Sequence, residues 1–235
     1  MCVVVCISSD TTKPFVFLFI SGYSLRKVME MTNLVIEAIN TRRSTRAYEP
    51  KPIPKEIIKT IIEAGNRAPS QGRVVKGKKD PLFQPWRFVV VEDPEFKQKL
   101  LQTTLPIWKK STEQTQQLFP EWYEKAMRLQ EVMDEPKDMV YYSAPVILFV
   151  IGLAEYAVSC ALACQNIMIA AHALGLGSCY VGFGSLVKGD TEIVHTLELV
   201  DNERIYGPIV LGYPKDLPEA RAMLSKKEEP KIKWI

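Results

Sequence analysis

Histidine and cysteine are scarce in this 235-residue chain, and poorly spaced for metal: two histidines, His172 and His195, and five cysteines with no Cys-x-x-Cys among them. No structural metal is expected, and the thiols read as reduced cysteines of a cytoplasmic protein, not as a disulfide framework. Surplus charge is absent as well. Thirty basic against 27 acidic residues leave +3, too little to imply nucleic acid, though it would suit an anionic ligand. The glycine pattern of a dinucleotide fingerprint, the Walker lysine motif and the nucleophile elbow are all missing, which removes the usual signatures of nucleotide hydrolysis and acyl transfer. The remainder is ordinary globular material, 47% apolar and 24% charged. That excludes disorder and leaves ample chain for a core, as one large domain or two small ones.

Residues 1–30 hold two apolar runs, Cys2–Ile7 and Phe15–Ile20, split by a polar stretch containing Asp10, Lys13 and Pro14. No basic region precedes Cys2 as a signal peptide requires, and the interruption breaks any span of about 20 apolar residues. This segment reads as an extension, either a β-rich appendage or an upstream start with Met29 or Met31 opening the working domain; a packed extra strand and a targeting segment are the alternatives. From residue 31 to 235 the pattern is regular. Thr32 suits the cap of a helix to about Thr41, and Pro54 the first turn of a second helix to about Ala68, with Ile57, Ile58, Ile61, Ile62 and Gly65 along one face. Trp86–Val91 is β-branched and aromatic, hence a strand, and a helix starts from Pro94. Residues 105–140, punctuated by Pro106, Pro120 and Pro136, read as a helical excursion outside the core. Pro145–Gly152 is apolar on both faces, a central strand. Glu155–Leu174 is an apolar helix that must be surrounded, by the core or by a partner subunit. Ser178–Val181 and Ile205–Tyr213 are further strands, with a helix near Thr191–Leu199 between them. The order lacks strict βαβ alternation, so the expected fold class is α+β.

Three constellations could carry chemistry. Arg42-Arg43-Ser44-Thr45-Arg46 combines arginines with a hydroxyl, a set that grips phosphate by charge-assisted bonds; basic residues also simply favour helix ends. Arg67-Ala68-Pro69-Ser70-Gln71-Gly72 and Gln84-Pro85-Trp86 flank Arg73–Phe83, a basic and flexible loop, and would place amide and hydroxyl groups near a planar ligand or merely form a turn. Gly175–Gly184 has four glycines in ten residues, which lets backbone N–H groups approach a ligand or makes a plain turn. Trp108, Phe119, Trp122 and Tyr123 would close over a flat substrate, or pack locally. Cys160 and Cys164 share a helix face and read as packing residues.

In order and spacing, RRSTRAYEPKPIP (42–54), EAGNRAPS (63–70), QPWRFVVVEDP (84–94), QNIMIAAHALGLGSCYVG (165–182) and IVLGYP (209–214) together resemble the FMN-dependent nitroreductase family over about residues 32–235. The resemblance implies a central mixed or antiparallel sheet flanked by helices, in an intertwined homodimer with FMN at the subunit interface. It also implies ping-pong chemistry, NADH or NADPH first and then an aromatic or quinone acceptor, without nucleic acid, membrane or metal. By position, Arg42, Arg43 and Ser44 would hold the FMN phosphate and Arg46 would face the pyrimidine edge. Pro69, Ser70 and Gln71 would reach the flavin from the other subunit, with Gln84 nearby. Tyr180, Val181, Gly182 and Phe183 would line the ring, and Lys226 and Lys227, or else Arg221, would meet the phosphate. Trp108, Phe119, Trp122 and Tyr123 would form the substrate lid. Leu82 stands where relatives often carry asparagine, and Gly182 where some carry an acid. Specialised relatives that dehalogenate aromatics or break down flavin, the former with Glu121, Tyr123 and Lys125 as candidate clamp residues, and a non-catalytic flavin-binding protein are the alternatives.

Overall fold

In the computed structural model the described residues are 2–5, 17–21, 34–75, 78–80, 83–121, 123–124, 127, 138–215 and 229–235. The chain divides into two compact units, Met1–Arg42 and Arg43–Ile235. In the first, β1 (Cys2–Val5) pairs antiparallel with β2 (Phe17–Ser21), and residues 34–41 form α1. The expected cap Thr32 lies outside the described residues.

The second unit is built on a four-stranded sheet of order β5-β6-β8-β7, antiparallel at every step. Its strands are β5 (Trp86–Val91), β6 (Val146–Leu153), β7 (Gly177–Tyr180) and β8 (Glu203–Gly212). A parallel bridge between Ser44 and Ser178 adds the mixed element on the β7 edge. β6 is apolar at every position but Gly152, because both faces are covered. Val146, Leu148 and Val150 face one apolar cluster, and Ile147, Phe149 and Ile151 face the other, as the two-residue period of a strand requires.

α2 (Lys55–Asn66) and α4 (Ala157–Ala173) cover the first face. Ile58, Ile61 and Gly65 make the buried stripe of α2, and a Cβ on Gly65 would meet Ile167 of α4 at 2.6 Å. That close approach explains the alanine and cysteine content of α4: Cys160, Ala163, Cys164 and Ala171 are all buried. The other face is closed by α3 (Pro94–Leu118), the turn at residues 138–144 and α5 (Thr191–Thr196).

α3 begins as expected, with Asp93 accepting from the Phe96 N–H at 2.7 Å and Pro94 in the first turn. It then corrects an expectation, since Pro106 does not punctuate the chain. The helix runs through it to Leu118. Both Pro106 and Gln102, whose carbonyl loses its partner, lie on the exposed face, where the freed oxygen is open to solvent. A second correction concerns Arg73–Phe83. Instead of a flexible loop, β3 (Arg73–Val75) and β4 (Lys78–Asp80) pair antiparallel, with Arg73 ion-paired to Asp80 at 3.1 Å and stacked on Phe83. Of the three cross-strand pairs, Arg73–Asp80, Val74–Lys79 and Val75–Lys78, only the first joins opposite charges.

Candidate functional site

Residues 43–49 lie along the edge of the sheet, pinned at both ends. The Thr45 N–H donates to Ser178 O at 2.9 Å on β7. Further on, the Glu49 N–H donates to Tyr213 O at 2.9 Å and the Lys215 N–H to Ala47 O at 3.1 Å, just past β8. Glycines make the approach possible: a Cβ on Gly177 would fall 2.6 Å from Thr45, and one on Gly212 would fall 2.6 Å from the Tyr48 ring. The Tyr48 hydroxyl donates back to Thr45 O at 2.5 Å, closing the segment on itself.

Arg46 is the midpoint of this strap. It is half-buried, with Tyr48, Tyr142 and Cys179 around it. Its Cζ lies 5.8 Å from the centroid of the Tyr142 ring. Among the described residues no carboxylate is ion-paired with it. A guanidinium keeps its charge in any surroundings. Burial pushes the Tyr142 phenol up, and the Arg46 charge pulls it back only in part. Burial likewise holds Tyr48 well above the ordinary phenol range. The result is a cation among neutral hydroxyls and rings, with no anion among the described residues to neutralise it.

Beyond β7 the chain turns outward. Tyr180 is 47% exposed, and a Cβ on Gly182 would meet nothing within 4 Å. The Val181 N–H is taken by Pro208 O, and the short turn Phe183–Ser185 then begins. Gly184 is the tight point of that turn: a Cβ there would meet Pro208 and Tyr141, each at 2.7 Å. Trp108 of α3, Tyr142 and Phe183 pack on the same apolar cluster. Ser44, Arg46, Tyr180, Val181, Gly182 and Phe183 are thus gathered around one sheet edge.

Other expected residues are placed differently. Arg43 is exposed at the start of the strap, whereas Arg42 ends the first unit. Ser70 and Gln84 belong to a separate network, with Pro69 and Gln71 flanking Ser70 in the chain: Ser70 Oγ donates to Phe83 O at 2.6 Å, and Gln84 Nε2 to Asn66 O at 2.8 Å. Trp86 Nε1, donating to Asn66 Oδ1 at 3.1 Å, anchors the same corner. Phe119 is exposed just past α3, and the Tyr123 N–H reaches its carbonyl at 3.0 Å. Lys226, Lys227, Arg221, Trp122, Lys125 and Leu82 lie outside the described residues. Sequence reasoning missed Tyr48, Tyr142 and Asp138, which organises the turn holding Tyr142. The signal was available in Asp138-Met139-Val140-Tyr141-Tyr142-Ser143, an aspartate followed by aromatics immediately before a buried strand.

A helix-enclosed antiparallel sheet with a cationic strap along one edge defines an α+β protein with a candidate anion site on that edge. A family model described as the Nitroreductase family matches residues 39–213, and the chain belongs to that family. A Methanothermobacter thermautotrophicus protein, provisionally named NADH dehydrogenase/NAD(P)H nitroreductase, is 27% identical over 200 residues, 85% of this chain and 87% of its own length. A nitroreductase of Desulfitobacterium hafniense with bound FMN shares the fold at TM-score 0.65 and 21% identity, covering 86% of this chain and 98% of that one. A nitroreductase of Bacteroides fragilis with bound FMN has TM-score 0.57 at 25% identity, over 86% and 98% of the two chains. By this membership the protein is an oxidoreductase enzyme.

Proposed function

We propose that the protein is an FMN-dependent oxidoreductase that takes electrons from NADH or NADPH and delivers them, by a ping-pong mechanism, to nitroaromatics, quinones or similar small acceptors. One observation carries this: Arg46 is a half-buried cation with no carboxylate partner among the described residues, held on the sheet edge that leads into Tyr180 and the open backbone at Gly182. An unneutralised cation beside exposed aromatic surface and open backbone fits a flat, electron-accepting anion such as FMN.

FMN, when bound, supplies the two-electron chemistry between nicotinamide and acceptor. The protein's part is to bind, orient and exclude water. Arg43 and Ser44, both exposed on the strap, hold the phosphate with Arg42, Lys226 and Lys227. Arg46 sets positive charge at the pyrimidine edge, where preorganised charge favours the negative charge that reduction brings. Tyr180, Val181, Gly182 and Phe183 line the ring. Pro69, Ser70, Gln71 and Gln84 serve the cofactor of the other subunit. Trp108, Phe119, Trp122 and Tyr123 close over the acceptor, and no side chain is required as a general base.

The working form in this reading is a cytoplasmic homodimer. Residues Ala154–Ala173 are long and apolar enough, by composition, to cross a membrane. One side of that stretch is a core face, with Cys160, Cys164 and Ile167 buried in the cluster that α2 also covers. The other side leaves Val158 65% and Leu162 41% exposed, one helical turn apart. A second copy of the chain is the natural cover for such a face.

The test is an absorbance spectrum of the purified protein, followed by anaerobic additions of NADH and NADPH. Flavin bands that bleach with either donor and recover with a quinone are the expected result. A colourless protein that takes up no added FMN overturns the reading.

A further inference from the structure

Asp138 organises the residues that follow it. Its Oδ1 accepts the N–H groups of Val140 (3.0 Å) and Tyr141 (2.7 Å), its Oδ2 that of Ser143 (3.2 Å), and its carbonyl that of Tyr142 (3.1 Å). With all four N–H groups gathered on one residue, Tyr142 and Ser143 take φ of 57° and 50°. These are left-handed conformations that bulky side chains rarely adopt. Tyr142 is therefore placed by its surroundings against its own backbone preference, and such outliers gather where a side chain's direction matters.

The turn is secured from behind. Lys97 Nζ, on α3, donates to Ala144 O at 3.3 Å and Pro145 O at 2.9 Å. Tyr141 is sealed into the core, and its hydroxyl donates to Gly184 O at 3.3 Å. What this rigid support delivers is the half-buried Tyr142 side chain, its ring set toward Arg46 and its hydroxyl oxygen accepting a hydrogen bond from the same guanidinium. A guanidinium near an aromatic face is attracted by the ring quadrupole, more strongly where water is partly excluded. An arginine side chain otherwise has many rotamers to lose.

We propose that Tyr142 is the positioning residue for Arg46: the Asp138 turn presents its ring as a fixed platform that holds the guanidinium at the flavin's pyrimidine edge. This rests on the FMN reading of the site. Tyr142 does not touch the reacting atoms, and it acts by keeping the Arg46 charge where reduction needs it. A purely structural tyrosine weakens binding of oxidised and reduced FMN together and leaves the potential unchanged. A positioning tyrosine acts on the reduced form, and by linkage this appears as a shift in potential.

The experiment compares FMN-loaded native protein, Tyr142→Leu, which removes the ring, and Tyr142→Phe, which keeps it. The midpoint potential of bound FMN is measured anaerobically against reference dyes, and affinity for oxidised FMN by fluorescence titration. The expected result for Tyr142→Leu is little change in oxidised FMN affinity and about tenfold weaker binding of the reduced form, equivalent to about 30 mV more negative. Tyr142→Phe, which keeps the ring but loses the hydroxyl's hydrogen bond with Arg46, should fall by less than Tyr142→Leu. Should Tyr142→Leu not fold, Tyr142→Met takes its place in the comparison. A ring-less variant with the native potential overturns the proposal, as does a Tyr142→Phe that falls as far as Tyr142→Leu. A native protein that binds no FMN overturns the flavin reading itself, a result distinct from both.

Discussion

Gly177 is where β7 meets the cationic strap, and Gly177→Ala probes that seam directly. The added Cβ would lie 2.6 Å from both Cγ2 and Oγ1 of Thr45 and 2.7 Å from its Cβ. Carbon atoms settle at about 3.5–4.0 Å. Rotating Thr45 about χ1 exchanges its two branches but leaves its Cβ in place, so no rotamer relieves the clash. The strap must withdraw, and withdrawal opens the 2.9 Å bond from the Thr45 N–H to Ser178 O. Overpacking costs about 1–3 kcal/mol, and the lost hydrogen bond about 1 kcal/mol more. Gly177→Ala should therefore lose about 2–4 kcal/mol, a large share of the roughly 5–15 kcal/mol that holds a domain folded. Urea unfolding followed by circular dichroism measures it. Thr45→Gly removes all three clashing atoms, so the double variant should show a favourable coupling of about 1 kcal/mol or more in a double-mutant cycle. A Gly177→Ala protein within about 0.5 kcal/mol of native, uncoupled from Thr45, would refute the seam and with it the position assigned to Arg46.

Arg46→Ala, loaded with FMN, should keep its fold by circular dichroism while its flavin potential falls and turnover drops about 100-fold, the scale of losing one preorganised charge-stabilising group; unchanged potential and turnover would remove Arg46 from the site. Burial pushes the Cys160 thiol up to about 11 and the Cys164 thiol up to about 12, so iodoacetamide at about pH 8 should label neither until denaturant is added, which mass spectrometry reads directly. The unfolded thiols ionise near 9.0, so the stability contributed by burying them neutral is complete below that pH and is lost as pH climbs through the folded values. Equal labelling of native and unfolded protein would contradict this burial. Finally, Val158→Lys with Leu162→Lys should turn a dimer into a monomer by light scattering, and a dimer that survives the pair uses another face.

The helices and strands were legible wherever one chain segment carries its own period. The isoleucine stripe of α2, the uninterrupted apolar run of β6 and the Asp93-Pro94 start of α3 all state locally what the backbone does. Pro106 misled because a long helix can absorb the local cost of a proline, here with the freed Gln102 carbonyl on the exposed face of α3, open to solvent rather than buried. The β3–β4 pairing was hidden because its strands are only three residues each, too short for a period to show, while the Arg73–Asp80 ion pair joins residues seven apart.

At the site, local pattern pointed to a chemistry but not to a geometry. A cluster of arginines with a serine suits anion binding, since guanidinium and hydroxyl groups recognise phosphate by their own charge and shape, yet basic residues also favour a helix end, and the segment alone does not choose between the two. That Arg46 is the member set into the sheet edge is not written in Arg42–Arg46. It follows from Thr45 pairing with Ser178, from glycine at 177 and 212 admitting the strap, and from the Asp138 turn bringing Tyr142 to it. Composition and periodicity act along the chain, whereas the neighbours of a buried charge come from segments far apart in sequence. Only the tertiary structure brings them together.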